Sequence, residues 1–149
     1  MDNNVYGLTK KQTSPTSPIG FKSKTDMWGA IDKPINPMQQ AISAGATFVA
    51  RTTHTNPKHL LSMMEAAMDH KGFAFIECLS ECTEFYDGAF DSSNPRKWGE
   101  FKDIPEDHDP TDENAAYALA EELVPGYFGV YYQISRPTKQ DKEAEVNSK

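Results

Sequence analysis

Cysteine is nearly absent: the chain holds only Cys78 and Cys82. Two thiols four residues apart are neither a Cys-x-x-Cys metal pair nor a disulfide-stapled framework. Positive charge is also scarce, with 15 Lys plus Arg against 22 Asp plus Glu and a net charge of −7. That balance argues against a nucleic-acid partner, because phosphate backbones need clustered cations. No apolar run approaches the roughly 20 residues that span a bilayer, and no positive-then-apolar leader opens the chain. Neither membrane insertion nor secretion is indicated, and the expected location is the cytoplasm. His54, His59, His70 and His108 have no ligand spacing, and no Gly-x-Ser-x-Gly, Gly-x-Gly-x-x-Gly or Walker-type loop occurs, so hydrolase and dinucleotide-binding readings lack local support. The carboxylates Asp103, Glu106, Asp107, Asp109 and Asp112 lack the central glycine and terminal glutamate of a calcium loop and read as a solvated arm.

What is there suffices to fold. With 149 residues, 38% hydrophobic and 11% aromatic, the chain can bury a core of its own. Residues 7–35 carry Gly7, Pro15, Pro18, Gly20, Gly29 and Pro34 and read as a long ordered loop, a length uncommon unless the loop is functional. Asn36-Pro37 supplies an N-cap and a first-turn proline for a short helix that stops at Gly45. Residues 46–51 read as a buried strand. Asn56-Pro57 starts a second helix whose Leu60, Leu61, Met64, Ala67 and Met68 recur at helical spacing and are expected in the core, and residues 73–79 form a second buried strand. Strand, helix, strand implies a parallel crossover in an open α/β sheet, whose ligands sit beyond the C-terminal strand ends. Residues 3–10 and 80–85 would both lie on that edge. Beyond Phe85 the sequence reads as a wrapping arm anchored by Trp98 and Phe101. A short helix over 115–123 with Ala116, Leu119, Ala120 and Leu123 inward, a strand within 127–134 and a mobile polar tail from Thr138 follow.

Asn3 is the first residue with chemical promise. Its side-chain oxygen and the carbonyl of Val5, two residues on, are hard oxygens that would suit a Mg²⁺ bridging a diphosphate, although an Asn3-Asn4 pair is equally ordinary turn chemistry. Lys10 could ion-pair with a substrate carboxylate or belong to a solvated basic turn. Cys78 and Cys82, on composition, both read as small buried hydrophobes.

The segment Asp2-Asn3-Asn4-Val5-Tyr6-Gly7-Leu8-Thr9-Lys10-Lys11-Gln12-Thr13-Ser14-Pro15-Thr16 resembles the Asp-Asn-x-Val-Tyr-Gly-Leu-Thr-Lys-Gly-Gln-x-Ser-Pro-Thr stretch of the β subunit of 2-oxoacid:ferredoxin oxidoreductases. Phe75-Ile76-Glu77-Cys78-Leu79-Ser80-Glu81-Cys82 likewise resembles that family's Phe-Ile-Glu-Val-Leu-Ser-Pro-Cys. The resemblance implies oxidative decarboxylation of a 2-oxoacid to an acyl-coenzyme A with electrons passing to ferredoxin, using thiamine diphosphate, Mg²⁺ and a [4Fe-4S] cluster. It implies an α subunit, ferredoxin, a 2-oxoacid and coenzyme A as partners. By the same resemblance Asn3 and the Val5 carbonyl hold the Mg²⁺, Asn3, Val5, Tyr6, Gly7 and Leu8 line the cofactor, and Cys82 ligates the cluster while Cys78 stays in the core. Leu8 with Lys10 hints at a dicarboxylic or branched substrate, 2-oxoglutarate among them. No residue of the chain is expected to be catalytic in its own right. Two departures stand out: Lys11 replaces a glycine, and Glu81 replaces a proline and adds negative charge beside the expected cluster. The motif's upstream Gly-Asp-Gly is missing, so the expected organisation is the C-terminal half of a thiamine diphosphate-binding open parallel sheet over 1–85, an arm over 86–137 and a flexible tail over 138–149. Such a piece is expected to be inactive alone, with a non-catalytic interaction or assembly module as the alternative.

Overall fold

The computed structural model describes residues 1–122 and 125–148. Helix α1 (Pro37–Ser43) leads to strand β1 (Phe48–Thr53), helix α2 (Pro57–Asp69) and strand β2 (Ala74–Leu79). The arm then carries two 3-10 turns, helix α3 (Glu113–Leu119) and strand β3 (Gly129–Gln133), and helix α4 (Lys139–Asn147) follows. Both Asn-Pro starts behave as expected. Asn36 accepts from the Gln39 amide and Asn56 from the His59 amide, each with proline in the first turn.

The sheet has the order β2-β1-β3, with β1 and β2 parallel as the crossover predicts and β3 antiparallel to β1. All six residues of β1 are buried, because it is covered on both edges and both faces. Met38, Ala41 and Ile42 of α1 pack with Val49, Ala116, Ala120, Tyr131 and Tyr132 into the main core. Buried within the sheet, Arg51 donates from Nε to Glu77 Oε2 at 2.6 Å and from Nη1 to the Pro125 carbonyl at 3.1 Å and the Tyr131 hydroxyl at 3.4 Å. One side chain thereby joins β1, β2, β3 and the turn before β3. Desolvation pushes the Glu77 carboxyl up, and Arg51 works against that shift.

Three local expectations are corrected. The apolar spacing of α2 does not place that helix in the core: none of its residues is buried, Leu60 and Ala67 are half-covered by the sheet, and Leu61, Met64 and Met68 face outward. Helical spacing gives two adjacent apolar stripes here, and β1 and β2 cover only one. Trp98 anchors nothing and is 99% exposed, whereas Phe101 does anchor the arm by stacking on Phe128 with centroids 4.4 Å apart. The polar tail contains α4, started by a reciprocal Thr138–Asp141 capping box and with no buried residue. In α3 and its C-cap, Ala116 and Ala120 are buried and Leu119 half-buried as expected, while Leu123 lies outside the described residues. No helix among the described residues is long and apolar enough to cross a membrane.

Candidate functional site

Backbone pairing fixes the position of the first loop. The Asp2 amide donates to the Cys78 carbonyl at 2.9 Å and the Ser80 amide to the Asp2 carbonyl at 2.8 Å, a parallel bridge at the free edge of β2. Residue 2 therefore stands beside the C-terminal end of β2, and the loop that follows it leaves the sheet at the edge where open α/β sheets bind ligands. The segment turns at once. Asp2 Oδ1 accepts from the Asn4 amide at 3.0 Å and Asn3 Oδ1 from the Val5 amide at 3.2 Å, with Asn4 at φ +55. The turn reading of this pair is thus realised, and it also pre-orients the Asn3 oxygen.

Val5 is buried with Phe21 and Ala30, and Cys82 and Tyr86 pack against them. Its carbonyl accepts no hydrogen bond among the described residues. Tyr6 and Gln12 then pair across a tight excursion, closed by the Lys10 amide on the Gly7 carbonyl at 2.9 Å. At the tip Leu8 is 99% exposed, and Lys10 and Lys11 both have positive φ. The Thr16 hydroxyl donates to Asp2 Oδ1 at 2.8 Å and the Ser17 hydroxyl to the Asn4 carbonyl at 2.6 Å, so the Ser-Pro-Thr half of the motif buttresses the Asn-Val half.

The second segment meets the first. A Cβ built on Gly7 would lie 3.1 Å from Cys82 Sγ, so the thiol rests against the Gly7 backbone. Cys82 is half-exposed and Cys78 buried, which separates two thiols that composition alone cannot tell apart. Burial pushes the Cys78 thiol up and leaves it less reactive. Glu81 is 9% exposed, and its carboxylate accepts from the Gly88 amide and pairs with Lys97, so its charge is compensated within the arm.

Two features escape sequence reading. Lys97 Nζ lies 2.8 Å from Asp91, 3.4 Å from Glu81 and 3.6 Å from Asp87, and the close pairing with the Asp91 carboxylate, followed by Glu81, holds its ammonium well above the usual lysine range. Nothing in its local sequence marks it, since its partners lie 6 to 16 residues away. A cleft of about 360 Å³ is lined by Asp2, Asn4 and Thr16 together with Lys33, Glu121 and Glu122. Its three carboxylates carry the wrong sign for a diphosphate. Its walls therefore do not compete with the Asn3–Gly7 loop as a phosphate site.

The loop fits the groups its sequence suggests: Asn3 Oδ1 and the Val5 carbonyl are oxygens suited to Mg²⁺, and Gly7 lets backbone approach where a side chain would strike Cys82. A [4Fe-4S] cluster does not fit this chain alone. No group of three His, Cys, Asp or Glu among the described residues could hold a metal, and Cys82 alone could offer only one of the four thiolates such a cluster needs.

Residues 1–78 match the family described as thiamine pyrophosphate enzyme, C-terminal TPP binding domain, and the chain belongs to that family. Within it, the chain is similar to β subunits of 2-oxoacid oxidoreductases. It is 43% identical over 91 residues to the 2-oxoglutarate oxidoreductase subunit KorB of Mycobacterium tuberculosis, covering 61% of this chain and 24% of that one. With the 2-oxoglutarate synthase subunit KorB of Methanocaldococcus jannaschii the identity is 43% over 93 residues, covering 62% and 34%. With the β subunit of the Saccharolobus solfataricus 2-oxoacid:ferredoxin oxidoreductase it is 45% over 86 residues, covering 58% and 28%. The fold superposes, with a TM-score of 0.84 and 34% identity, on a 2-oxoglutarate:ferredoxin oxidoreductase from Magnetococcus marinus solved with 2-oxoglutarate, coenzyme A and succinyl-CoA bound, covering 99% of this chain and 50% of that chain. The chain spans about a quarter to a third of the curated relatives it matches.

Proposed function

We propose that this chain supplies the C-terminal part of the thiamine diphosphate site in a 2-oxoacid:ferredoxin oxidoreductase β subunit, with residues 1–85 as the cofactor-binding part, 86–137 as an arm and 138–149 as a tail. The observation that carries the proposal is the convergence of Asn3–Gly7 and Cys82 on one sheet edge. In this reading Asn3 Oδ1 and the Val5 carbonyl are Mg²⁺ ligands, and Tyr6, Gly7 and Leu8 flank the cofactor. When bound, thiamine diphosphate supplies the nucleophilic carbon needed to decarboxylate a 2-oxoacid. The chain's own part is to hold oxygens, shape the pocket and select substrate. At the exposed loop tip Leu8 contacts the substrate, and the Lys10 ammonium meets a second carboxylate, which favours 2-oxoglutarate. Cys82 is one thiolate of a [4Fe-4S] cluster whose other ligands come from outside the described residues. The α subunit, ferredoxin and coenzyme A complete the assembly in the cytoplasm, and the chain alone turns over no substrate.

One observation favours a second reading, an interaction or assembly module. Leu61, Met64, Met68 and Phe73 are exposed on and just after α2, beside a β2 edge that is bridged only at Asp2 among the described residues. The first reading is tested by assaying the assembly that contains this chain with a panel of 2-oxoacids. Coenzyme A-dependent ferredoxin reduction with 2-oxoglutarate is expected, and Lys10→Ala should raise KM for 2-oxoglutarate at least about tenfold, as loss of one charge-assisted contact does. No coenzyme A-dependent reduction with any 2-oxoacid would leave the module reading.

A further inference from the structure

Cys82 sits on a loop whose shape is set by the residue before it. The Cys82 carbonyl accepts from the Phe85 and Tyr86 amides at 3.2 and 2.8 Å, which folds the turn, and Cys82 and Tyr86 pack on Val5, Phe21 and Ala30, which leaves the turn without a polar tie to its surroundings on that side. That tie comes from Glu81. One carboxylate oxygen accepts from the Gly88 amide at 3.2 Å and the other lies 3.4 Å from Lys97 Nζ. Lys97 is itself held at 2.8 Å by Asp91, on a 91–99 turn so tight that a Cβ on Gly99 would collide with the Asp91 carbonyl. The other wall is Gly7, with Cys82 Sγ 3.1 Å from where its Cβ would be.

We propose that Glu81 is a positioning residue: its carboxylate closes the 81–88 loop and, fixed by Lys97, seats the Cys82 thiol against the Gly7 backbone of the Asn3–Lys10 loop. The carboxylate at position 81 is then a staple whose charge is spent on Lys97 and the Gly88 amide. A neutral residue with the same reach would keep the Gly88 half of the staple and lose the Lys97 half. The seating stands on geometry alone, and only its consequence for an iron–sulfur cluster rests on the function proposed above.

The two cysteines provide the test, since Cys78 is buried in β2 and reports general loosening while Cys82 reports its own loop. Iodoacetamide labelling of the full 149-residue chain, followed peptide by peptide, gives both rates in one sample. Glu81→Ala should raise the Cys82 rate at least about tenfold, as expected when two hydrogen bonds to a charged group are lost, and leave the Cys78 rate within about twofold. Lys97→Met should act in the same direction and less, because the Gly88 contact survives, and Glu81→Gln should fall between wild type and Glu81→Ala. A Cys82 rate in Glu81→Ala within about twofold of wild type, or equal acceleration of both thiols, overturns the proposal. A separate measurement tests the functional reading: unchanged iron content of the assembly carrying Cys82→Ser would remove the cluster role and leave the seating untouched.

Discussion

Lys11 stands where the resembling family carries glycine, and its backbone has φ +75, in the left-handed region. An L side chain there costs roughly 1–2 kcal/mol. Lys11 Nζ lies 5.6 Å from the Phe21 ring centroid, an exposed contact that returns roughly 0.5–1 kcal/mol. The difference favours glycine. Lys11→Gly should therefore raise stability by about 0.5–1 kcal/mol and Tm by about 2 °C, read by calorimetry, and a lowered Tm would show that the Phe21 contact outweighs the backbone. His59 gives a second residue-scale expectation. Its ring stacks edge-on against Phe101, its Nδ1 is 2.8 Å from the Thr52 hydroxyl, and burial lowers its pKa, with Asp103 working against the shift. The folded chain thus prefers neutral His59, and the unfolded chain binds the proton more readily. Stability from this group is complete above the unfolded value near 6.5 and is lost as pH falls through it toward the folded value. His59→Gln should flatten the stability profile just below pH 6.5, and an unchanged slope in urea titrations would assign the loss to other groups.

The Arg51–Glu77 pair works at the scale of elements, because Arg51 on β1 reaches β2, β3 and the turn at Pro125. A buried pair is weak evidence for net stability, but removing one partner strands a charge. Arg51→Met should cost about 3–5 kcal/mol, and adding Glu77→Leu should recover much of that loss. Denaturant curves of the single and double variants check this, and a double variant no better than Arg51→Met would show that Arg51 matters through Pro125 and Tyr131. The helices divide differently. Those with an explicit start signal, Asn36-Pro37 and Asn56-Pro57, were legible because capping and proline chemistry act over three or four residues. The sidedness of α2 was not. Leu61, Met64 and Met68 have the spacing of a core stripe, and only the sheet's limited width decides that they stay outside.

On the scale of the whole molecule, the α/β class and the parallel β1–α2–β2 unit were readable from periodicity and punctuation. The antiparallel β3 was not, since a return through an arm of some fifty residues leaves strand direction open. The same contrast holds for the site. Asn3, Val5 and Cys82 were singled out by the family resemblance, since residue type alone reads the first as turn chemistry and the last as a buried hydrophobe, and the meeting of Gly7 with Cys82 follows from the Asp2–Cys78 and Ser80–Asp2 pairings that place both segments at one edge. The staple of Glu81 by Lys97 and Gly88 needs three-dimensional closure and has no local signature. The central claim, that the Asn3–Gly7 loop binds Mg²⁺ and thiamine diphosphate, is tested most directly by titrating thiamine diphosphate calorimetrically into the assembly containing this chain, with and without Mg²⁺. Asn3→Ala should weaken the Mg²⁺-dependent affinity by about 10–100-fold, since it removes the oxygen proposed to ligate the metal together with the turn that orients the Val5 carbonyl. An affinity for Asn3→Ala equal to wild type would make Asn3 a turn residue only and contradict the account.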